Sequence, residues 1–314
     1  MKGPSIARDA YSIEIISAPS ILGLRPAGVQ DLGESLLAAG LAARLQVKLP
    51  VRHVDTLNEF YSDQRDPQTN CLNAALISNF SLTLGEAVTE VVNDGNFPLV
   101  LGGDCSILIG IMPALKLQGS YGLIFVDAHA DFYEPERSTT GEVADMDLAI
   151  VTGRGPAVLT NIHHLQPYVK DQHVIHIGQR DMEETIKYES RDIRKSGITC
   201  FSLADIEEEG IERITVAALQ YAKRLAIESF WIHFDTDVLA DEINPAVDYR
   251  LPGGLSFNQV EYLFNNVLTT VPVAGMSVTI FNPRLDPDGS IAGNIVNSIG
   301  RAFLGYQIVR PSSL

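Results

Sequence analysis

Short, almost entirely apolar runs alternate with longer amphipathic stretches along this 314-residue chain. The apolar runs predict β-strands at Tyr11–Ser17, Phe97–Leu101, Gly122–Val126, Val174–Ile177, Phe230–Phe234 and Ala274–Phe281. The amphipathic stretches predict helices at Val29–Leu41, Thr83–Asn93, Glu183–Ser196, Ile214–Ile227 and Phe257–Leu268. Strands that are apolar on both faces need helices on both sides, so the pattern predicts an α/β fold with three layers, αβα, around a mostly parallel central sheet. No repeat or long linker interrupts it, which predicts one domain over residues 1–314.

The charge balance limits the partners of such a protein. The chain has 39 acidic and 23 basic residues and a formal net charge of −16, which disfavours nucleic acid and anionic membrane surfaces as partners. No apolar run reaches the ~20 residues that span a bilayer, and the first residues lack a signal-peptide pattern. We therefore expect a cytoplasmic protein with no membrane or nucleic-acid partner. Cys71, Cys105 and Cys200 form an odd and widely spaced set, which argues against a disulfide framework.

A run of acidic and imidazole side chains follows the predicted strand Gly122–Val126. Parallel sheets bind ligands at the carboxyl ends of their strands, so chemically useful residues are expected there. Residues 127–131 read Asp-Ala-His-Ala-Asp, and in an extended chain Asp127, His129 and Asp131 would project to one side. Two carboxylates and an imidazole in an apolar setting are costly unless a cation compensates them. The run therefore predicts a metal site.

A second run of the same kind follows the predicted strand Phe230–Phe234, where His233, Asp235 and Asp237 alternate with other residues. Together the two runs offer enough oxygen and nitrogen atoms to bind two divalent cations, with a bridging carboxylate between ions ~3.5–4 Å apart. A third strand end, residues 101–106 (Leu-Gly-Gly-Asp-Cys-Ser), combines a tight glycine turn with an aspartate that can cap a helix.

These motifs resemble those of the arginase/agmatinase/formiminoglutamase superfamily, the ureohydrolases. That family has a Gly-Gly-Asp-His-Ser turn, an Asp-Ala-His-x-Asp run and an Asp-x-Asp run, which correspond here to residues 102–106, 127–131 and 235–237. Weaker similarity covers nearly the whole chain, including residues 177–181 (Ile-Gly-Gln-Arg-Asp). The resemblance implies an arginase-like fold, a small-molecule substrate and a homo-oligomer, commonly a trimer or hexamer.

The resemblance also implies two divalent metal ions, usually manganese. The positions that correspond to the family's ligands are Cys105, Asp127, His129, Asp131, Asp235 and Asp237. The residue at Cys105 would bind one ion together with Asp131. His129 and Asp237 would bind the other ion, and Asp127 and Asp235 would each bridge the two ions. In the family the ions hold a hydroxide that attacks the carbon of a guanidinium or formimino group, and Asp131 would act as the catalytic residue that orients it.

Two departures from the family pattern concern the chemistry of the site. Cys105 stands where the family has histidine, so it either shifts the site toward zinc or another soft ion, or is not a ligand at all. Ala144 stands where arginases have a histidine that transfers protons. That function would pass to solvent or to another group, and Asp145, Glu142 and His233 are the candidates. We take His233 as a second catalytic candidate, although it can equally pack behind the ligands.

A third departure concerns the substrate. Ile280 stands where arginases have a glutamate that accepts hydrogen bonds from the guanidinium, and an apolar residue cannot balance a buried cation. This disfavours free arginine unless a nearby acid takes over. Candidates for substrate contact include Tyr133, after the second motif. By the resemblance, Glu183 and Glu184 fall where the family binds the amino end of its substrate, and Glu183 is taken as the candidate.

The leading hypothesis is a metal-dependent hydrolase that cleaves a C–N bond in a small guanidine, amidine or related compound. The alternative is a catalytically impaired ureohydrolase-like protein that binds a ligand or partner. A third possibility, an amide hydrolase of the histone-deacetylase type, rests on fold analogy alone.

Overall fold

The computed structural model describes residues 12–305. Eight strands form its central sheet: β1 (Ile13–Ala18), β2 (Arg52–His53), β3 (Phe97–Gly102), β4 (Tyr121–Val126), β5 (Val174–Ile177), β6 (Thr199–Phe201), β7 (Ser229–Asp235) and β8 (Val273–Thr279). Every pairing between them is parallel, and their order in the sheet is β2-β1-β3-β8-β7-β4-β5-β6.

Helices cover both faces of this sheet. They are α1 (Leu32–Ala38), α2 (Leu41–Arg44), α3 (Ala74–Asn93), α4 (Leu108–Lys116), α5 (Asp147–Val151), α6 (Ala157–Thr160), α7 (Met182–Lys187), α8 (Leu203–Glu209), α9 (Ile211–Ala222), α10 (Phe257–Thr270) and α11 (Ser290–Ala302). Neighbouring residues of a strand enter opposite cores: Ile15 packs with α9, α10 and α11, whereas Ile16 packs with α3 and α4. The predicted three-layer αβα fold is therefore confirmed.

All six predicted strands are confirmed, with ends that differ by at most two residues. Tyr11, the first residue of the first predicted strand, lies outside the described residues. The prediction lacked β2 and β6, which form the two edges of the sheet. These strands have only two and three residues, and none of them is buried, so neither produces an apolar run that a sequence pattern can detect.

Two predicted helices are interrupted. The stretch Glu183–Ser196 is helical only as far as Lys187, because Glu189 takes a left-handed conformation (φ 53°) and Asp192 then caps a separate turn. The stretch Val29–Leu41 is divided at Gly40 (φ 94°), where α1 ends and α2 begins. In both cases the apolar residues keep their helical spacing along the sequence although the helical backbone is interrupted, so the sequence pattern does not reveal the break.

The sheet order determines where the functional side chains lie. Strands β3, β8, β7 and β4 are consecutive neighbours, so the segments that follow them meet at one edge of the sheet. These segments carry Cys105, Ile280, Asp237 and Asp127 respectively. Among residues 12–305, no helix is long and apolar enough to cross a membrane.

Candidate metal centre and active site

The turn after β3 places Cys105 at the base of the site. Gly103 passes so close to the backbone of Ser20 that a Cβ atom would lie 1.8 Å from its carbonyl oxygen, so only glycine fits. The Asp104 carboxylate accepts hydrogen bonds from the backbone N–H groups of Gly23 (3.1 Å) and Ser106 (2.9 Å) and is thereby a cap. The Cys105 thiol is buried and donates to Oδ2 of Asp235 at 2.9 Å.

The segment after β4 forms a turn, whereas the sequence predicted an extended chain. Strand β4 ends at Val126, and Asp131 has a left-handed backbone (φ 44°), so the expected alternation of side chains does not apply here. Asp127 Oδ1 instead accepts a hydrogen bond from the backbone N–H of His129 at 2.7 Å. A carboxylate of Asp181 accepts from the backbone N–H of Ala130 at 3.2 Å. The predicted convergence is present, but local hydrogen bonds produce it.

His129 and Asp237 form a close pair across the ends of β4 and β7. His129 Nδ1 lies 2.9 Å from Asp237 Oδ2 and 3.7 Å from Asp127 Oδ1. Burial alone would lower the pKa of His129, but the carboxylates of Asp237 and Asp127 raise it to about 10. Burial likewise opposes ionisation of Asp237, yet the His129 charge holds the pKa of Asp237 below its usual value. Both shifts favour the charged forms, so His129 and Asp237 stabilise each other as an ion pair.

Arg180 fastens the strand ends that carry these groups. Its guanidinium donates to the backbone carbonyl oxygens of Asp237 (2.7 Å), Val238 (3.1 Å) and Leu239 (3.2 Å). Its own backbone N–H donates to Ala128 O at 2.8 Å. The Ile-Gly-Gln-Arg-Asp segment therefore positions the groups around it.

Four aspartates, namely Asp127, Asp131, Asp147 and Asp235, are buried close together. Burial, followed in most of them by the charge of a neighbouring acid, raises the pKa of each well above its usual value. Among the described residues, Asp127 Oδ2 has no hydrogen-bond partner. Buried acids without partners are unfavourable unless protons or cations compensate them, so these residues fit a site for divalent cations.

Sequence reasoning missed Asp147. The signal available was an acidic residue inside the otherwise apolar segment 146–151 (Met-Asp-Leu-Ala-Ile-Val), since an aspartate is rarely buried without a partner. The fully buried Asp147 lies next to Asp131, whose carboxyl affects its pKa.

His233 lies beneath the site and not on its surface. The side chain is fully buried in β7, with Nδ1 2.9 Å from Ser277 Oγ and the ring stacked on Phe125 at 4.9 Å. Burial lowers the pKa of His233 to about 3, so its imidazole is neutral. It is not among the residues that line the cavity described next, so a predicted role in proton transfer to substrate is not supported by its position.

A cavity of about 240 Å³ opens above the buried acids. Its lining residues are Leu24, Cys105, His129, Asp131, Tyr133, Ser138, Thr139, Thr140, Ala144, Asp145, Asp181, Glu184, Tyr188, Asp235, Asp237, Asp248, Tyr249 and Ile280. This set contains seven carboxylates and, within residues 12–305, no lysine or arginine. The volume suits a small molecule, and the charge suits a cation.

The two residues predicted to contact substrate lie differently with respect to this cavity. Tyr133 lines it, which leaves its contact with substrate a prediction. Glu183 is exposed and does not line it, whereas Glu184 does. The reason is helical geometry: α7 begins at Met182, and Asp181, Glu184 and Tyr188 then share one face at spacings of three and four residues. Glu184 therefore replaces Glu183 as the candidate.

Ala144 and Ile280 line the cavity where the sequence placed the family's missing histidine and glutamate. Ile280 is also strained, because a β-branched residue rarely adopts its left-handed backbone (φ 73°). Two of the seven acids in the lining, Asp145 and Asp248, are candidates to take over from these missing groups. Burial and the Glu142 charge raise the pKa of Asp145 to about 7, and Asp248 accepts a hydrogen bond from Asn282 at 3.0 Å while its other oxygen has no partner.

Together these features define a parallel α/β protein with a cluster of buried acids at the carboxyl ends of its strands, beneath an acidic cavity. The family model described as "Arginase family" matches residues 27–305. An arginase of Staphylococcus aureus is 30% identical in an alignment 305 positions long that covers 93% of this chain and 97% of that protein. The crystal structure of the Bacillus caldovelox arginase aligns with a TM-score of 0.84 at 27% identity, over 93% of this chain and 98% of that one.

A formimidoylglutamase of Bacillus subtilis shares the fold, with a TM-score of 0.72 at 18% identity over 96% of this chain and 89% of that one. The chain belongs to the arginase family. It is thus a hydrolase of the arginase family.

Proposed function

We propose that this protein is a metal-dependent hydrolase that cleaves a C–N bond in a small guanidine, amidine or related cation. One observation carries the proposal. Asp127 belongs to two groups of potential ligands, one with Cys105 and His233 and one with His129 and Asp237, and within each group the ligand atoms lie within 4.8 Å of one another. A carboxylate shared by two ligand sets is the arrangement that a two-ion centre requires.

The donor atoms suit two different ions. His129, Asp237 and Asp127 would bind one ion with imidazole and carboxylate, which suits manganese. Cys105 and Asp235, whose Sγ and Oδ2 atoms lie 2.9 Å apart, would bind the other together with Asp127. A thiolate favours zinc or another soft ion at that position. Divalent ions at these positions would polarise the substrate and lower the pKa of a water molecule.

Asp131 and Asp145 would manage the protons of the reaction. Asp131 lines the cavity next to the ligand groups, where its carboxylate can orient the attacking water. Asp145 lines the same cavity, and its pKa of about 7 suits a group that accepts and returns a proton near neutral pH. Asp145 adjoins Ala144 in the chain, so it is close to the place of the missing histidine.

The acids of the cavity support a cationic substrate. Ile280 led us to disfavour free arginine because it leaves a guanidinium unbalanced. Asp248 lines the cavity beside Ile280 with one unpartnered oxygen, so an acid is at hand for a guanidinium or amidinium group. Glu184, with Tyr133, is placed to bind a second polar group of the substrate. Free arginine therefore belongs in the substrate panel.

Metal analysis and a substrate screen test this function. We expect two transition-metal ions per chain after mild purification, and a higher melting temperature when Mn²⁺ or Zn²⁺ is added to the metal-free protein. The metal-loaded protein should release urea or ammonia from at least one guanidine, amidine or formimino compound. Absence of bound metal, with no response to added ions, would reject the hydrolase and favour the ligand-binding alternative.

Several broader features belong to the same proposal: one domain over the full chain, a homo-oligomer such as a trimer or hexamer, and a cytoplasmic location. Analytical ultracentrifugation of the purified protein tests the assembly, and fractionation of the native cells tests the location.

A further inference from the structure

The buried group of side chains around Cys105, here called the covered side of the site, includes the imidazole of His233. The family resemblance does not assign a metal ligand to this position. The Cys105 thiol, one Asp127 carboxylate oxygen and a nitrogen of His233 lie within 4.8 Å of one another. Zinc bonds to cysteine sulfur and histidine nitrogen are about 2.3 Å and 2.0–2.1 Å long, so these atoms need to close in by only ~1 Å to share one ion. Asp235, which accepts from the Cys105 thiol at 2.9 Å, adds a fourth donor.

The orientation of His233 leaves its second nitrogen directed at this group. Nδ1 lies 2.9 Å from Ser277 Oγ, which also accepts a hydrogen bond from Trp231 Nε1 at 3.0 Å. Thr279 Oγ1 contacts both Cys105 Sγ (3.2 Å) and His233 Nε2 (3.4 Å), so Nε2 is the nitrogen on the Cys105 side. A metal-binding histidine typically uses its other ring nitrogen for such a hydrogen bond, which holds the ring in place.

An independent observation indicates that a cation belongs at this point. Asp127 is fully buried and its Oδ2 atom has no hydrogen-bond partner among the described residues. The Cys105 thiol and a His233 nitrogen lie within 4.8 Å of an Asp127 carboxylate oxygen. A cation bound between thiol, imidazole and carboxylates would satisfy the unpartnered oxygen and all three donor types together.

We propose that His233 is a metal ligand. Cys105 stands in the turn after β3 where the family has a histidine, and His233 on β7 provides an imidazole in its place. The resulting set of one sulfur, one nitrogen and two carboxylates selects zinc or cobalt over manganese at this position. This inference rests on the metal centre of the proposed function but concerns only which side chains hold one of its ions.

Cobalt substitution tests the assignment, because a cobalt–thiolate bond gives a charge-transfer absorption in the near ultraviolet. The wild-type full-length protein should bind two Co²⁺ ions per chain and show this band. In His233→Asn the ion that gives the band should bind at least tenfold more weakly. The matched control is His176→Asn, since His176 is also fully buried and also packs against Phe125 (5.3 Å), but its Nε2 contacts the backbone carbonyl of His129 (2.7 Å), on the side of the other ion, and it does not belong to the group around Cys105.

His176→Asn should retain the band at wild-type affinity. An unchanged band and cobalt affinity in His233→Asn would overturn the proposal. If the His233→Asn protein binds both ions and remains active as a hydrolase, His233 is not a ligand. The proposed function would then still hold.

A measurement on the wild type covers the case in which the variant does not fold. X-ray absorption of the protein with one equivalent of Zn²⁺ should find one sulfur and one imidazole bound to the same ion. Zinc without sulfur, or with sulfur but without imidazole, would overturn the proposal. Failure to bind any Zn²⁺, Co²⁺ or Mn²⁺ would reject the proposed function as well.

Discussion

The two sides of the candidate metal centre differ in how their buried polar groups are partnered. On the open side, His129 and Asp237 line the cavity and lie 2.9 Å apart as an ion pair. On the covered side, His233 lies outside the cavity lining and Cys105 is 1% exposed, and their neighbour Asp127 has an unpartnered buried oxygen. The two groups of the open side therefore partner each other, whereas the covered side retains a buried carboxylate oxygen without a partner.

The difference shows that similar residue types need not have similar energetics. A histidine next to carboxylates gains charge, since the pKa of His129 is raised to about 10, whereas a histidine held by a hydroxyl and an aromatic ring loses it, since the pKa of His233 is lowered to about 3. We expect the covered side to depend more strongly on a bound cation.

Asp127 belongs to both sides, so its replacement should have the largest effect. Asp127→Asn should abolish binding of both ions and lower kcat/KM by at least ~10³-fold, about 4 kcal/mol of transition-state stabilisation. The same change removes an acid whose ionisation burial opposes, so at pH 8 the metal-free variant should melt higher than the metal-free wild type. Metal analysis, steady-state kinetics and thermal unfolding measure the three quantities.

The control for this variant is Asp286→Asn. Asp286 is also buried, but its carboxylate accepts from the backbone N–H groups of Ile291 (3.2 Å) and Ala292 (2.9 Å) at the start of α11. Its loss should lower stability and leave the metal content unchanged. An Asp127→Asn protein that still binds two ions would contradict the shared carboxylate.

Asp145 tests whether proton transfer takes place on the open side. Asp145→Asn should lower kcat by about 10²-fold or more while two ions remain bound. Because the ionised carboxylate accepts the proton, wild-type kcat/KM should fall as the pH drops through the pKa of Asp145, about 7 in the metal-free protein and lower beside cations. The variant should lose this dependence. Exposed Glu183, changed to Gln, serves as the control and should leave both quantities unchanged.

Cys105→His tests the covered side by restoring the residue type of the family. The ratio of manganese to zinc affinity should rise by roughly 10- to 100-fold, since imidazole is a harder ligand than thiolate. Competition dialysis with both ions measures this ratio. Cys71→Ala, which changes a buried cysteine elsewhere in the core, should leave the ratio unchanged. An unchanged ratio in Cys105→His would remove Cys105 from the ligands.

The smallest effect should be a pH dependence of stability in the metal-free protein. The pKa values of Asp127, Asp131, Asp147 and Asp235 are raised on folding, so the folded state binds protons more tightly than the unfolded chain. Stability is then greatest at acidic pH and is lost as the pH rises through the folded-state pKa values. The pKa of His129 is also raised on folding, from 6.5 to about 10, so above about pH 6.5 the folded state keeps a proton that the unfolded chain has lost, and the open side adds to the same loss of stability.

We therefore expect the melting temperature of the metal-free protein to fall by several degrees between about pH 5 and pH 8. Added Zn²⁺ should stabilise the protein more at the higher pH, because metal ions compete with protons for the same ligands. A metal-free melting temperature that rises over this range would show that the acids are compensated by some other means.

The sequence by itself determined the layers of this fold and the place of the site. Apolar runs such as Val174–Ile177 needed cover on both faces, and the acids that follow β4 and β7 had to meet because neighbouring parallel strands end at the same edge. Only the tertiary structure decided which side chains face the cavity. It selected Glu184 over Glu183 through the face of α7 that is turned inward, and it buried His233 beneath the site. Chain periodicity reports where a residue lies along an element, whereas the direction of its side chain and the charges around it depend on residues from distant parts of the chain.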